Sequence, residues 1–144
     1  MTAKFSCLLL TIAPDGTDLE PLSDSNGQPI HGREPRWSPD GGTLAFISYG
    51  PSGDRQSNPE IFLLDVESGD IRQLTDCHRN RATCHELSWS PDGTRLVFRS
   101  NHTADPEDLE GRLGASEIFL VVVDSGEIRR LTSNDSLDIT PNWW

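Results

Sequence analysis

Trp37-Ser38-Pro39-Asp40-Gly41 returns as Trp89-Ser90-Pro91-Asp92-Gly93, the same five residues 52 positions further along the chain. Seven residues after each Trp comes an apolar triplet, Leu44-Ala45-Phe46 and then Leu96-Val97-Phe98. Glu60-Ile61-Phe62-Leu63 recurs as Glu117-Ile118-Phe119-Leu120, now shifted by 57, so the second copy has gained five residues between the triplet and the glutamate. The register then holds: Ser68-Gly69 matches Ser125-Gly126, Ile71-Arg72 matches Ile128-Arg129, and Leu74-Thr75 matches Leu131-Thr132. Fragments flank the two units. Leu19 to Ser23 has the spacing of Ile71 to Thr75, and Pro141-Asn142-Trp143 echoes Pro35-Arg36-Trp37, so the chain begins and ends inside a unit.

Each unit converts into strands by local chemistry. Ser-Pro-Asp-Gly between an aromatic and an apolar segment predicts a hairpin, because proline presets φ and glycine accepts a positive φ. The β-favouring run Ile61 to Val66 ends in Glu67-Ser68-Gly69-Asp70, which turns it back into Ile71 to Thr75. Helical periodicity is absent, and the pattern predicts four antiparallel strands per unit: a around Trp37 or Trp89, b over Leu44 to Ser48 or Leu96 to Ser100, c over Ile61 to Val66 or Ile118 to Val123, and d over Ile71 to Thr75 or Ile128 to Thr132. Four strands in about 40 to 50 residues is the arithmetic of a propeller blade. The fold expected is all-β, an incomplete β-propeller in one segment spanning 1–144: a partial blade at 1–24, blades at 34–76 and 86–133, and the start of another at 139–144.

These residues resemble the WD40-like repeat of the TolB-type β-propellers, and the resemblance covers nearly the whole chain. It departs at strand c, where the family's terminal Asp is matched by Asp65 but not by Val122, and in the longer b to c connections. The resemblance implies a non-catalytic interaction module, a scaffold for a protein partner, belonging to a larger propeller in a periplasmic or other extracytoplasmic compartment. A second implication is a fragment of the gating propeller of a prolyl-oligopeptidase-like serine peptidase. Propellers have at least about four blades, so two accounts of the open ends follow: a segment of a longer propeller, or chains associating head to tail through exposed blade faces.

Composition narrows the partners. The 144 residues hold 23 acidic and 12 basic side chains, a formal net charge of −11, and the longest basic run is Arg129-Arg130. Such a chain repels a phosphate backbone, which argues against nucleic acid. No stretch approaches the roughly 20 apolar residues of a spanning helix, which argues against membrane insertion. Phe5 to Ala13 imitates the apolar part of a secretory signal, but it aligns with strand c of the repeat and reads as a strand.

Few side chains suggest chemistry. Cys77-His78 and Cys84-His85 form a doubled pair of the ligand types zinc takes, but adjacent side chains of an extended segment point to opposite sides, and the spacing exceeds the usual two to four residues. A Cys77 to Cys84 disulfide closing a small surface loop is one alternative, and reduced, inert thiols are another. Cys7, in the apolar first strand, reads as a small core residue. The acidic loop Asp105 to Glu110 lacks the alternating spacing of a calcium loop and reads as a solvated face; a metal-binding module acting through this loop or the Cys77 to His85 loop is a further alternative function. There is no Gly-x-Ser-x-Gly elbow, His-Glu-x-x-His or phosphate loop, so no enzymatic activity and no cofactor are expected.

The b to c and d to a connections emerge on one side of every blade and the tight turns on the other. Binding residues concentrate on irregular loops held by a rigid scaffold. The candidate binding face therefore comprises Tyr49, Arg55, His78, Arg79, His102, Asp105, Glu107 and Asp108. Trp37, Trp89 and Trp143 share one repeat position and read, with Asp40, Gly41, Asp92 and Gly93, as the structural repeat; Phe46, Phe98, Ile61, Ile118, Leu74 and Leu131 are expected to hold the blades.

Overall fold

The computed structural model describes residues 7–50, 58–76, 83–101, 116–134 and 136–143. Two four-stranded antiparallel sheets carry the fold. The first is β3 (Arg33–Trp37), β4 (Thr43–Ser48), β5 (Glu60–Asp65) and β6 (Ile71–Gln73), paired in that order; the second is β7 (Cys84–Trp89), β8 (Arg95–Ser100), β9 (Glu117–Val122) and β10 (Ile128–Arg130), paired likewise. A short hairpin, β1 (Leu10–Thr11) with β2 (Glu20–Pro21), precedes them. The fourth strands are shorter than the sequence suggests. After Gln73 and Arg130 one more backbone bond forms, from the Leu74 and Leu131 amides to the Ile61 and Ile118 carbonyls, and Thr75 and Thr132 then use the side-chain oxygen, accepting from the amides of Ile61 and Ile118.

The Asp-Gly hairpins form as expected. Gly41 and Gly93 adopt φ of 75° and 70°, and Ser38 and Ser90 each donate to the carboxylate two residues on at 2.6 Å. That carboxylate also accepts from a backbone amide of the turn, Gly42 in one unit and Thr94 in the other. Both hairpins are thus closed by their own side chains.

The central strands of the first blade are apolar through Leu44, Ala45, Phe46 and Ile47 and through Ile61, Phe62, Leu63 and Leu64 because both of their faces are covered. Ala45, Ile47, Ile61 and Leu63 pack against Trp89, Leu96, Phe98 and Phe119 of the second blade. Leu44, Phe46, Phe62 and Leu64 pack against Leu9 and Ile30 of the segment before it. Phe46 stacks on Phe62 with ring centroids 5.9 Å apart, and Phe98 on Phe119 at 5.8 Å, so the cross-strand pair is repeated as the sequence is. In the second blade the described residues pack a core against one face, and β9 alternates between buried and half-buried positions.

Three expectations fail. Trp37 does not share the buried place of Trp89: it is 53% exposed against 9%. Trp89 lies against β3, whereas the described residues before the first blade place only β1 and β2 on that side, with no inner strand for Trp37 to meet. Leu131 is likewise exposed, since it lies beyond the end of β10 toward the uncovered face. Cys7 is exposed and unbonded: it precedes the paired residues of β1, and Leu9 is the side chain of this segment that enters the core.

Candidate functional site

Strand register fixes the two ends of the blades. Ser48, Glu60, Cys84, Ser100 and Glu117 lie at one end, where the long connections attach, and the two Asp-Gly hairpins lie at the other. Of the side chains expected on the loop-bearing end, Tyr49 and the metal candidates Cys84 and His85 are described. Cys77, His78, Arg79, Arg55, His102, Asp105, Glu107 and Asp108 lie outside the described residues. Cys84 is disulfide-bonded, and its sulfur is therefore not a thiolate ligand. The described residues contain no group of three or more His, Cys, Asp or Glu side chains placed to hold a metal ion.

The structure brings Tyr49 and His85 together through Arg33. The Arg33 guanidinium stands 5.7 Å from the Tyr49 ring centroid, and its Nη2 lies 3.3 Å from His85 Nδ1. His85 faces Arg99 directly across β7 and β8. Arg99 Nε in turn lies 3.2 Å from Glu86 Oε2, and Arg33 Nε lies 3.8 Å from Glu34 Oε1. Burial, reinforced by the positive charges of Arg33 and Arg99, pushes the His85 pKa below its ordinary value despite Glu34 and Glu86 nearby. The same burial and charges favour the neutral imidazole.

Glu34 and Glu86 are the residues the sequence reading passed over. Each sits at a bulge in its inner strand with a positive φ, 55° and 52°, rare for a residue with a Cβ. The strain has a partner in the next blade. Glu34 Oε2 accepts the Glu86 amide at 2.6 Å, and Glu86 Oε2 accepts the Thr140 amide at 2.7 Å; Thr140 has the same positive φ. Trp89 Nε1 donates back to the Arg36 carbonyl, and Trp143 Nε1 to the Ser88 carbonyl. One carboxylate and one indole therefore join each inner strand to the next. The shared 52-residue offset of Glu34 and Glu86 was the available signal.

The remaining shifted carboxylates serve the scaffold. Burial opposes ionisation of Glu117, yet the Thr132 hydroxyl, the Asn134 amide and the Arg130 guanidinium together hold its pKa below the ordinary value. Hydrogen bonds from Ser38 and Gly42 lower Asp40, and those from the Ser90 hydroxyl and the Thr94 amide and hydroxyl lower Asp92 to about 2. At the tight-turn end a cleft of about 410 Å³ lies between the blades, lined by Asp65, Asp70, Arg72 and Asp124 among others. Arg72 donates across it to the Val123 carbonyl at 2.8 Å.

Antiparallel four-stranded units stacked face to face, with the first strand of each against the first strand of the next, define a β-propeller repeat protein. The family model described as the TolB beta propeller domain matches residues 24–144, and the chain belongs to that family. Among curated proteins it is 30% identical to the uncharacterised peptidase YuxL of Bacillus subtilis, over 70% of this chain and 18% of that protein. It is 28% identical to the Tol-Pal system protein TolB of Anaeromyxobacter dehalogenans, over 76% of this chain and 21% of that one. The chain thus spans about a fifth of the length of these relatives. Among solved structures, TolB of Acinetobacter baumannii superposes with a TM-score of 0.63 at 21% identity, covering 91% of this chain and 28% of the other. A puromycin hydrolase gives 0.56 at 20% identity, over 89% and 19%.

Proposed function

We propose that this propeller segment is a non-catalytic interaction module that takes a protein partner on its loop-bearing end. The observation that supports this reading most is how the ionisable side chains are used. Asp40, Asp65 and Asp92 close turns, Glu117 locks strands c and d together, and Glu34 and Glu86 join the blades. Among the described residues none of these forms a nucleophile, base and orienting group in series. What the fold offers instead is a rigid support whose long connections all leave from one end.

A photo-crosslinking residue in place of Tyr49, compared with one in place of Val66 at the tight-turn end, tests the reading. A defined partner captured from Tyr49 and not from Val66 supports it; capture from Val66 alone overturns it. Turnover of peptide anilides that copurifies with the intact chain and is blocked by a serine-directed reagent overturns the non-catalytic part.

A second reading is favoured by the 30% identity to a protein described as a peptidase: the segment belongs to a gating propeller attached to a catalytic domain. A hydrolase domain with a Gly-x-Ser-x-Gly elbow in the same polypeptide would decide for it. Under either reading the apolar side chains Leu10, Ile12 and Leu19 before the first blade, and Leu131, Leu137 and Ile139 beyond the second, are exposed, and we propose that blade faces or second copies associate there. Light scattering that returns a monomer at all concentrations would remove self-association.

A further inference from the structure

We propose that Arg33, His85 and Arg99 form a carboxylate-binding site that seats one acidic side chain, or a terminal carboxylate, of an extended peptide segment. The proposal rests on the reading of the loop-bearing end as a protein-binding surface and names the chemistry recognised there.

Three donor side chains from two blades converge on one spot. Arg33 occupies in β3 the place that His85 occupies in β7, and Arg99 stands opposite His85 on β8. A guanidinium has donors only, so at the 3.3 Å contact Arg33 donates and His85 Nδ1 accepts. That fixes the tautomer: the remaining ring proton is on Nε2, which is then a donor. The environment favours the neutral ring, in which His85 offers a directional N–H without adding charge.

Each of the two carboxylates beside the cluster has one oxygen engaged by a backbone amide. Glu34 Oε2 accepts the Glu86 amide, and Glu86 Oε2 accepts the Thr140 amide. The Nε atoms of Arg33 and Arg99 lie near these carboxylates without a hydrogen bond and are shut off from solvent, so a ligand meets the other guanidinium nitrogens. Among the described residues donors therefore exceed acceptors, and the arginine side chains keep 34% and 24% of their surface in contact with solvent. A carboxylate oxygen is the acceptor that planar guanidinium donors fit best.

Charge selects the rest of the partner. The chain carries −11, so a generally acidic ligand is repelled at a distance. The segment that binds should be neutral or basic overall, with a single carboxylate placed on the cluster.

The test uses the intact chain, uniformly ¹⁵N-labelled, and two capped peptides that differ only in one residue, Lys-Gly-Glu-Gly-Lys and Lys-Gly-Gln-Gly-Lys. The expected result is saturable movement of the His85 ring resonances with the glutamate peptide and an upward shift of the His85 pKa, since a bound anion favours the imidazolium. The glutamine peptide should bind about tenfold more weakly or less, as should the glutamate peptide to Arg33→Gln or Arg99→Gln, each of which loses a charge-assisted hydrogen bond. Arg95→Gln, at the tight-turn end, should leave binding unchanged. Equal binding of the two peptides, or no saturable shift at millimolar peptide, overturns the site, and this comparison needs no variant to fold. A protein partner that crosslinks at Tyr49 while the His85 resonances stay in place overturns the carboxylate site and leaves the interaction-module reading standing.

Discussion

Replacing Trp89 and Trp37 separately by alanine separates blade packing from sequence repetition, since the two residues are identical in their repeat context and differ in burial. A tryptophan side chain has roughly 150–250 Å² to bury. At about 25 cal/mol per Å² a nearly enclosed Trp89 contributes about 4–6 kcal/mol as an upper estimate. Its indole adds a hydrogen bond to the Arg36 carbonyl of the neighbouring blade, at 2.9 Å, worth about 1 kcal/mol net. Trp37 keeps 53% of its surface in water, so its burial is about half as large. Allowing for partial collapse at each site, Trp89→Ala should cost about 4 kcal/mol and Trp37→Ala about 1–2 kcal/mol. With a urea m-value near 2 kcal/mol/M, the midpoint falls by about 2 M in the first case and by less than about 1 M in the second. Unfolding followed by circular dichroism reads both. A loss at Trp37 equal to or larger than that at Trp89 would refute the packing described for the two blades.

The other outcomes follow from single contacts. Thr75→Val removes the hydroxyl that donates to the buried Glu60 carboxylate at 2.6 Å and accepts from the Ile61 amide, and should cost about 2–3 kcal/mol in urea unfolding, whereas Thr43→Val should cost little. Gly69→Ala brings a Cβ within 2.7 Å of the Ser25 backbone nitrogen at a φ of 75° and should lower thermal stability more than Gly41→Ala, where φ is the same and the space is open. Asp40, Asp92 and Glu117 have folded pKa values below their unfolded ones, so the stability they contribute is present above the ordinary carboxylate range and is lost as pH falls through the lowered values, down to about 2 for Asp92. Asp92→Asn should flatten that acid limb in urea titrations run at stepwise lower pH. Reducing the disulfide of Cys84, a residue with no exposed surface, should destabilise the interface between the blades by about 2–4 kcal/mol, read as a lower midpoint in the presence of dithiothreitol.

The architecture was legible because its signals are local and repeated. Ser-Pro-Asp-Gly dictates a hairpin wherever it occurs, and the apolar runs at Leu44 and Ile61 state that both faces of the strands are covered. The site was less legible because it depends on what lies across the interface. Nothing in the sequence separates Trp37 from Trp89; the difference arises from the neighbour each one meets. Arg33, His85 and Arg99 are scattered over 67 positions and converge only because two inner strands lie side by side and β8 returns beside β7. Glu34 and Glu86 were recoverable from the repeat offset alone, but their role needs the bulge and the positive φ that turn each carboxylate toward the next blade.

Hydrogen–deuterium exchange on the intact chain with its crosslinked partner bound tests the central claim most directly. Protection concentrated on Arg33, Ser48 to Gly50, His85 and Arg99 to Asn101, with the Asp-Gly hairpins unchanged, is the predicted result. Protection confined to the hairpins at Asp40 and Asp92, with the loop-bearing end exchanging as in the free chain, would contradict it.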